Sequence, residues 1–96
     1  MEAYGPLFQP SSSTVHESQV VTITGQYFTP KSTVQMYWGD SKHGILLGTG
    51  TTNNRGMLSP PIQLTIPKHT LLGSNVLTAV DNVAYYPTNV PFTILP

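Results

Sequence analysis

Apolar and polar residues alternate one by one in several short segments of this chain, and this alternation constrains the fold more than any other feature. Val21 and Ile23 are separated by threonine, and Val34, Met36 and Trp38 are separated by glutamine and tyrosine. A period of two places the two sets of side chains on opposite faces of a β-strand. No stretch of a dozen residues shows the spacing of an α-helix. The sequence therefore predicts an all-β fold.

Residues that favour turns separate these segments. Gly25 ends the first clear strand, and Gly73 and Asp81 flank a later one. The segment Asn53–Gly56 contains residues that accept positive φ angles, and we expect it to join two strands as a hairpin. About seven short strands in this order are typical of an immunoglobulin-like antiparallel β-sandwich.

The same pattern sets the expected bounds of the remaining segments. Residues 4–10 are predicted to form an edge strand that Pro6 interrupts, since proline removes a ladder donor. Residues 11–13 are predicted to form a turn, residues 17–25 a strand, and residues 81–89 a loop before the last strand.

The alternating apolar residues are predicted to meet in one core between two sheets. Trp38 is the largest of them and is expected to fill the centre of that core. The thirteen residues predicted for the core are Val21, Ile23, Val34, Met36, Trp38, Leu58, Ile62, Leu64, Ile66, Leu77, Ala79, Phe92 and Ile94.

Length and composition limit the class of protein. The 96 residues suffice for one domain, 1–96, around a single core. Charged residues make up 8% of the chain, against about 25% in an average soluble protein, and 13 threonines and eight serines supply the polar surface instead. Four basic residues balance four acidic ones, and no two basic residues adjoin. This distribution argues against nucleic-acid binding.

The sequence also bears on location. No segment approaches the length needed to cross a membrane, and the first residues lack the basic start and apolar run of a secretory signal. We expect no membrane insertion, and we expect an exported form to be part of a longer polypeptide. The chain has no cysteine, which removes disulfides, thiolate catalysis and cysteine metal ligands from consideration.

Catalysis needs a nucleophile with a base in reach, or two carboxylates in one site. His16, His43 and His69 fall at expected strand ends or loops, and no serine occupies a Gly-x-Ser-x-Gly elbow. Asp40 and Asp81 are the loop carboxylates nearest to a calcium pattern, but Asp81 is expected to cap the turn before the last strand. The sequence therefore predicts no enzyme, no metal site and no cofactor.

Aromatic side chains are the candidate binding surface. Tyr37 is expected to face away from the side that carries Trp38, and Tyr85 and Tyr86 stand in the expected loop before the last strand. Exposed rings stack on sugar faces or anchor protein contacts. The alternative is structural: a neighbouring strand covers Tyr37, and one of the loop tyrosines packs into the core.

Several segments together carry a resemblance to a known family. They are 21–25 with 28–34, 47–49 with 53–56, 64–67, and 73–74 with 77–81. Their order and spacing resemble the bacterial immunoglobulin-like modules related to the IPT/TIG family, over residues 10–94 or so. One departure is Asn75, where such modules usually have an aromatic residue. The resemblance implies a module of a larger bacterial surface or secreted protein, in which such domains are spacers, adhesive units or companions of polysaccharide-degrading domains.

The expected function is accordingly non-catalytic. The module would hold neighbouring domains of a longer polypeptide at a set distance, in an extracellular or cell-surface location implied by the resemblance. The alternative is a recognition module that binds carbohydrate or a protein partner through Tyr37, Tyr85 and Tyr86. A third hypothesis is self-association through an edge strand, for which Pro6 and Pro60 are the evident guards.

Overall fold

A computed structural model describes residues 6–39, 42–68, 73–83 and 87–96 of the chain. Eight strands are formed in this part of the protein. They are β1 (Leu7–Pro10), β2 (Thr14–His16), β3 (Val20–Gln26), β4 (Thr33–Trp38), β5 (Ile45–Thr51), β6 (Ile62–Thr65), β7 (Gly73–Asp81) and β8 (Pro87–Leu95).

The strands form two sheets that face each other. Sheet A has the order β1-β3-β6, and sheet B has the order β2-β8-β7-β4-β5. All neighbouring strands are antiparallel except β2 and β8, which are parallel. The consecutive strands β1 and β2 lie in different sheets, so the chain crosses from one layer to the other after Pro10. The protein is an immunoglobulin-like antiparallel β-sandwich, as the alternation predicts.

The core lies between the two sheets and contains every one of the thirteen residues predicted for it. Phe8, Val15 and Phe28 are buried with them. Trp38 is the last residue of β4 and packs edge-on against Phe92, with ring centroids 5.7 Å apart and an interplanar angle of 74°. Trp38 pairs with Leu77 of β7, and the buried Phe92 and Ile94 lie beyond that level, towards the start of β7.

The first strands differ from their expected bounds. Pro6 is buried just before β1 and does not interrupt it, while Tyr4 lies outside the described residues. The serines of 11–13 form a bend that leads into β2, a strand too short for its alternation to stand out in the sequence. The strand expected from residue 17 begins at Val20, because Ser18 has a φ of 67° and turns the chain between the two sheets.

The turn at 53–56 is formed and joins a short hairpin, in which Thr52 and Leu58 make an antiparallel bridge. The Asn53 amide donates to the Met57 carbonyl on one side of this bridge, and the Ser59 amide donates to the Thr51 carbonyl on the other. The segment before the turn belongs to sheet B and the strand after it to sheet A, so the two do not pair along their length. Gly56 has a φ of 76° and lies against the backbone of Phe28. The position of this turn is therefore set by its contact with the loop between β3 and β4.

The last strand is longer than expected. β8 begins at Pro87 and pairs with β7 from Val80↔Pro87 to Gly73↔Ile94. The expected loop at 81–89 is therefore wrong for residues 87–89. Proline is tolerated at the first position of a strand, where a donor is not needed.

Two glycines let β5 approach sheet A closely. A side chain at Gly48 would come within 2.9 Å of Leu64 Cδ2, and one at Gly50 would collide with Ile62. Between Met36 and Tyr37 the register of β4 with β5 shifts by one residue, so that Gly48 pairs with Met36 and Leu46 with Tyr37. Leu47 is the extra residue of this β-bulge and packs against the core.

Candidate functional site

The outward face of sheet B carries the candidate site. Tyr37 lies on this face, opposite in direction to Trp38, and pairs with Leu46 of β5 on one side and Thr78 of β7 on the other. Thr78 in turn pairs with Asn89 of β8. These four residues form a row across four strands, which we call the Tyr37 row.

Hydrogen bonds fix the polar groups of this row. The Tyr37 hydroxyl donates to Gln35 Oε1 at 3.1 Å, two residues along the same strand. The Thr78 hydroxyl lies 2.6 Å from the carbonyl oxygen of Gly39 and 2.8 Å from Asn89 Oδ1. Thr78 is only 1% exposed although it is on the outward face, and the Gly39 carbonyl just after β4 lies against its hydroxyl. The Tyr37 ring is half-buried.

The outward face has no charged side chain on the described positions of β4, β5, β7 and β8. Its polar groups are hydroxyls and amides, and its apolar groups are one ring, leucine, valine and proline. Such a surface offers hydrogen bonds and a stacking plane without an ionic contact. A neutral, hydroxyl-bearing ligand suits it better than an anion or a cation.

The sequence reasoning found Tyr37 but missed the polar partners beside it. Gln35 and Asn89 occupy outward positions of strands, and Thr78 interrupts an apolar run in β7. A threonine between Leu77 and Ala79 was the available signal, since a polar residue inside a doubly covered strand needs hydrogen-bond partners. Tyr85 and Tyr86 lie outside the described residues, so the loop half of the predicted site stays a prediction.

Asp81 performs the capping role predicted for it and a second one. Its Oδ1 accepts a hydrogen bond from the Val83 amide at 2.8 Å, which closes the turn after β7. Its Oδ2 accepts a hydrogen bond from the Thr29 amide, in the turn between β3 and β4. The side chain is fully buried. This carboxylate therefore joins two turns of the fold, and backbone amides face both of its oxygens.

The described histidines stand in exposed positions. His16 is the last residue of β2, and His43 lies in the turn before β5. Within residues 6–39, 42–68, 73–83 and 87–96, no group of three histidine or acidic side chains comes together as metal ligands. His69 and Asp40 lie outside the described residues.

Comparison with known proteins finds no relative of the chain. No protein-family model matches it, and no curated protein matches it. The relationship to IPT/TIG modules therefore stays a prediction from the order of the sequence segments. In the part of the chain that the structure describes, no helix is long and apolar enough to cross a membrane.

Proposed function

We propose that this chain is a non-catalytic immunoglobulin-like module, related to the IPT/TIG family, that spaces neighbouring domains in a larger bacterial surface or secreted protein. The observation that carries the proposal is that the start of β1 and the end of β8 lie at opposite ends of an elongated sandwich. The molecule measures 40 × 26 × 22 Å along its principal axes.

The ends can be traced through the strand pairing. Leu7 at the start of β1 pairs with Gln26, and the next turn leads from Gln26 to Thr33 at the start of β4. The Thr33 amide donates to Asn82 Oδ1, in the turn after β7. The start of β1 therefore lies at the same end of the sandwich as the turns after β3 and β7.

The last strand runs away from that end. β8 starts at Pro87, which pairs with Val80 next to the turn after β7, and it ends at Leu95, which pairs with His16. Nine residues of strand span about 30 Å. The start of β1 and the end of β8 are thus separated by the length of the module. A domain placed between two neighbouring domains needs this geometry.

The surface suits this role. Only 8% of the residues are charged, and the outward face of sheet B is neutral, so the module offers little electrostatic attraction to nucleic acid or to charged surfaces.

A tandem of two copies tests the spacer role. The copies are joined by a short linker from Pro96 to residue 1 of the next, and the largest dimension is measured by small-angle X-ray scattering at low protein concentration. A spacer gives about twice the 40 Å of one module. A tandem whose largest dimension stays close to that of one copy has its modules folded side by side, and this result contradicts the proposal.

The second candidate function is recognition of a carbohydrate or protein partner, and the Tyr37 row favours it. The half-buried Tyr37 ring, with the amide groups of Gln35 and the exposed Asn89 on the same face, supplies both the stacking plane and the hydrogen bonds that a sugar needs. Screening on a glycan array, followed by calorimetric titration, tests this candidate. Saturable binding that is lost in Tyr37→Ala supports it, while Tyr85→Ala and Tyr86→Ala test the loop residues in the same assay. No binding in the whole screen contradicts carbohydrate recognition.

A further inference from the structure

The spacer role does not explain the edge of sheet B that β5 forms. Sheet A ends at β1 and β6, and sheet B ends at β2 and β5. β1 contains Pro10 and follows Pro6, while β6 is preceded by Pro60 and Pro61. β2 has only three residues. Proline and short length are the usual protections of an edge strand against pairing with another chain.

β5 has neither protection. It is seven residues long and contains no proline and no charged residue. Ile45 is 60% exposed, the highest value for a large apolar side chain among the described residues, and Leu46 is 49% exposed. At the far end of the strand, the Ser59 amide donates to the Thr51 carbonyl at 3.0 Å. Among the described residues, the edge is therefore open to pairing from Ile45 to Gly50.

We infer that this edge pairs with the same edge of a second copy of the chain, antiparallel, about a two-fold axis between Leu47 and Gly48. The register follows from the β-bulge. Residues that face each other directly in an antiparallel pair must point to the same side of the sheet. Any candidate register can be tested against this condition, because the structure shows on which face each residue of β5 lies.

The facing pattern of β5 is symmetric about the bulge. Leu46 and Thr49 point outward, since they pair with Tyr37 and Gln35 of β4. Ile45, Leu47, Gly48 and Gly50 are on the core side, by pairing or by contact.

An axis between Leu47 and Gly48 therefore sets Leu46 opposite Thr49, Ile45 opposite Gly50, and Leu47 opposite Gly48, with each pair on one face. A shift of one residue in either direction opposes an outward residue to an inward one. The bulge usually protects an edge because it spoils the match with a regular strand. Two copies carry the same bulge at the same residue, so the inward and outward positions of their β5 strands match on both sides of the axis.

The side-chain sizes along β5 and its lack of charge also favour a second copy of the chain as the partner. Each large residue of one copy faces a small residue of the other, since the apolar half of the strand, Ile45–Leu47, lies against the half that contains Gly48, Thr49 and Gly50. The strand is uncharged, so two copies do not repel each other along the edge. A two-fold pair of identical edges is closed, and association stops at the dimer.

Sedimentation velocity over a range of protein concentrations tests the inference. The expected result is a rise in mass from 10.4 kDa to twice that value. Thr49→Lys adds a charge at an exposed outward position of the edge and should weaken dimerisation by about tenfold or more. Thr65→Lys is the matched control, because Thr65 is an exposed residue on β6, the edge strand of the other sheet, and it should dimerise like the parent.

Disulfide trapping tests the register. The chain has no cysteine, so Leu46→Cys and Thr49→Cys can be made separately and mixed. Directly opposite residues in an antiparallel pair are close enough to form a disulfide. The mixture should form a disulfide-linked heterodimer much faster than Leu46→Cys mixed with Thr65→Cys. Equal rates in both mixtures contradict the register, and a protein that stays monomeric up to about 1 mM contradicts the inference altogether.

Discussion

The two ends of β4 lie in chemically different surroundings. At its C-terminal end, Trp38 packs edge-on against Phe92 and pairs with Leu77, so the surroundings are rings and methyl groups. At the other end, Ser32, Thr52 and Asp81 are buried, with exposed fractions of 8%, 7% and 0%. We call these the apolar end and the polar end.

Hydrogen bonds satisfy the polar end. Thr52 Oγ1 accepts from the Ser32 amide at 2.8 Å and lies 2.6 Å from the Thr29 carbonyl. Asp81 accepts from the Thr29 and Val83 amides. An apolar end loses stability through cavities, whereas a polar end loses it through unpaired groups. Substitutions at the two ends of β4 should therefore lower the free energy of unfolding by different mechanisms, although both ends belong to one small core.

The largest expected effect is at the apolar end. Trp38→Ala leaves a cavity where the indole contacted Phe92 and should lower the free energy of unfolding by about 3 to 5 kcal/mol. This loss is a large part of the stability of a domain of this size. Urea unfolding followed by circular dichroism measures it.

Tyr37→Ala is the control for that substitution, since Tyr37 is the preceding residue on the opposite face of β4 and is half-buried. It should cost clearly less than Trp38→Ala. Equal losses in the two variants would mean that the two faces of β4 do not differ as described.

A smaller loss is expected at the polar end. Asp81→Asn keeps one acceptor oxygen and puts an NH₂ group where the other faces a backbone amide, so one charge-assisted hydrogen bond is replaced by a clash of donors. The expected cost is about 2 to 3 kcal/mol. Amide hydrogen exchange should accelerate in the variant at whichever of Thr29 and Val83 faces the new NH₂ group.

Asn82→Asp provides the comparison for Asp81→Asn. Asn82 Oδ1 accepts from the Thr33 amide at 3.0 Å in an exposed position, and the carboxylate keeps that acceptor. Stability should change by less than about 0.5 kcal/mol. If Asp81→Asn is equally mild, the carboxylate does not hold the two turns together.

This contrast also separates what the sequence could predict from what it could not. The apolar positions follow the period of two, so all thirteen predicted core residues are buried, Trp38 and Phe92 among them. Asp81 could be predicted as a turn cap because that contact is two residues away. Its contact with Thr29 joins residues 52 positions apart, and no local pattern contains it.

Other departures have the same origin. The alternation in β5 is interrupted by the bulge at Leu47 and by two glycines, whose reason is the approach of Ile62 and Leu64 from the other sheet. β2 has three residues, too few to show a period. For the candidate site, Tyr37 followed from alternation, but its neighbour Thr78 is placed there by the pairing of β4 with β7, which depends on the topology and not on local sequence.

The smallest of the three expected losses gives the sharpest comparison, because the substitution changes almost no side-chain volume. Thr52→Val replaces the hydroxyl by a methyl group and leaves the Ser32 amide without its 2.8 Å partner in a buried place. The expected loss is about 1 to 2 kcal/mol, measured as a shift of the urea midpoint at constant slope. Thr52→Ser keeps the hydroxyl and should preserve the Ser32 and Thr29 contacts, so it should be more stable than Thr52→Val although it removes a methyl group from the core side. The reverse order would mean that packing, and not the hydrogen bonds, stabilises the polar end, and the two ends would then be stabilised in the same way.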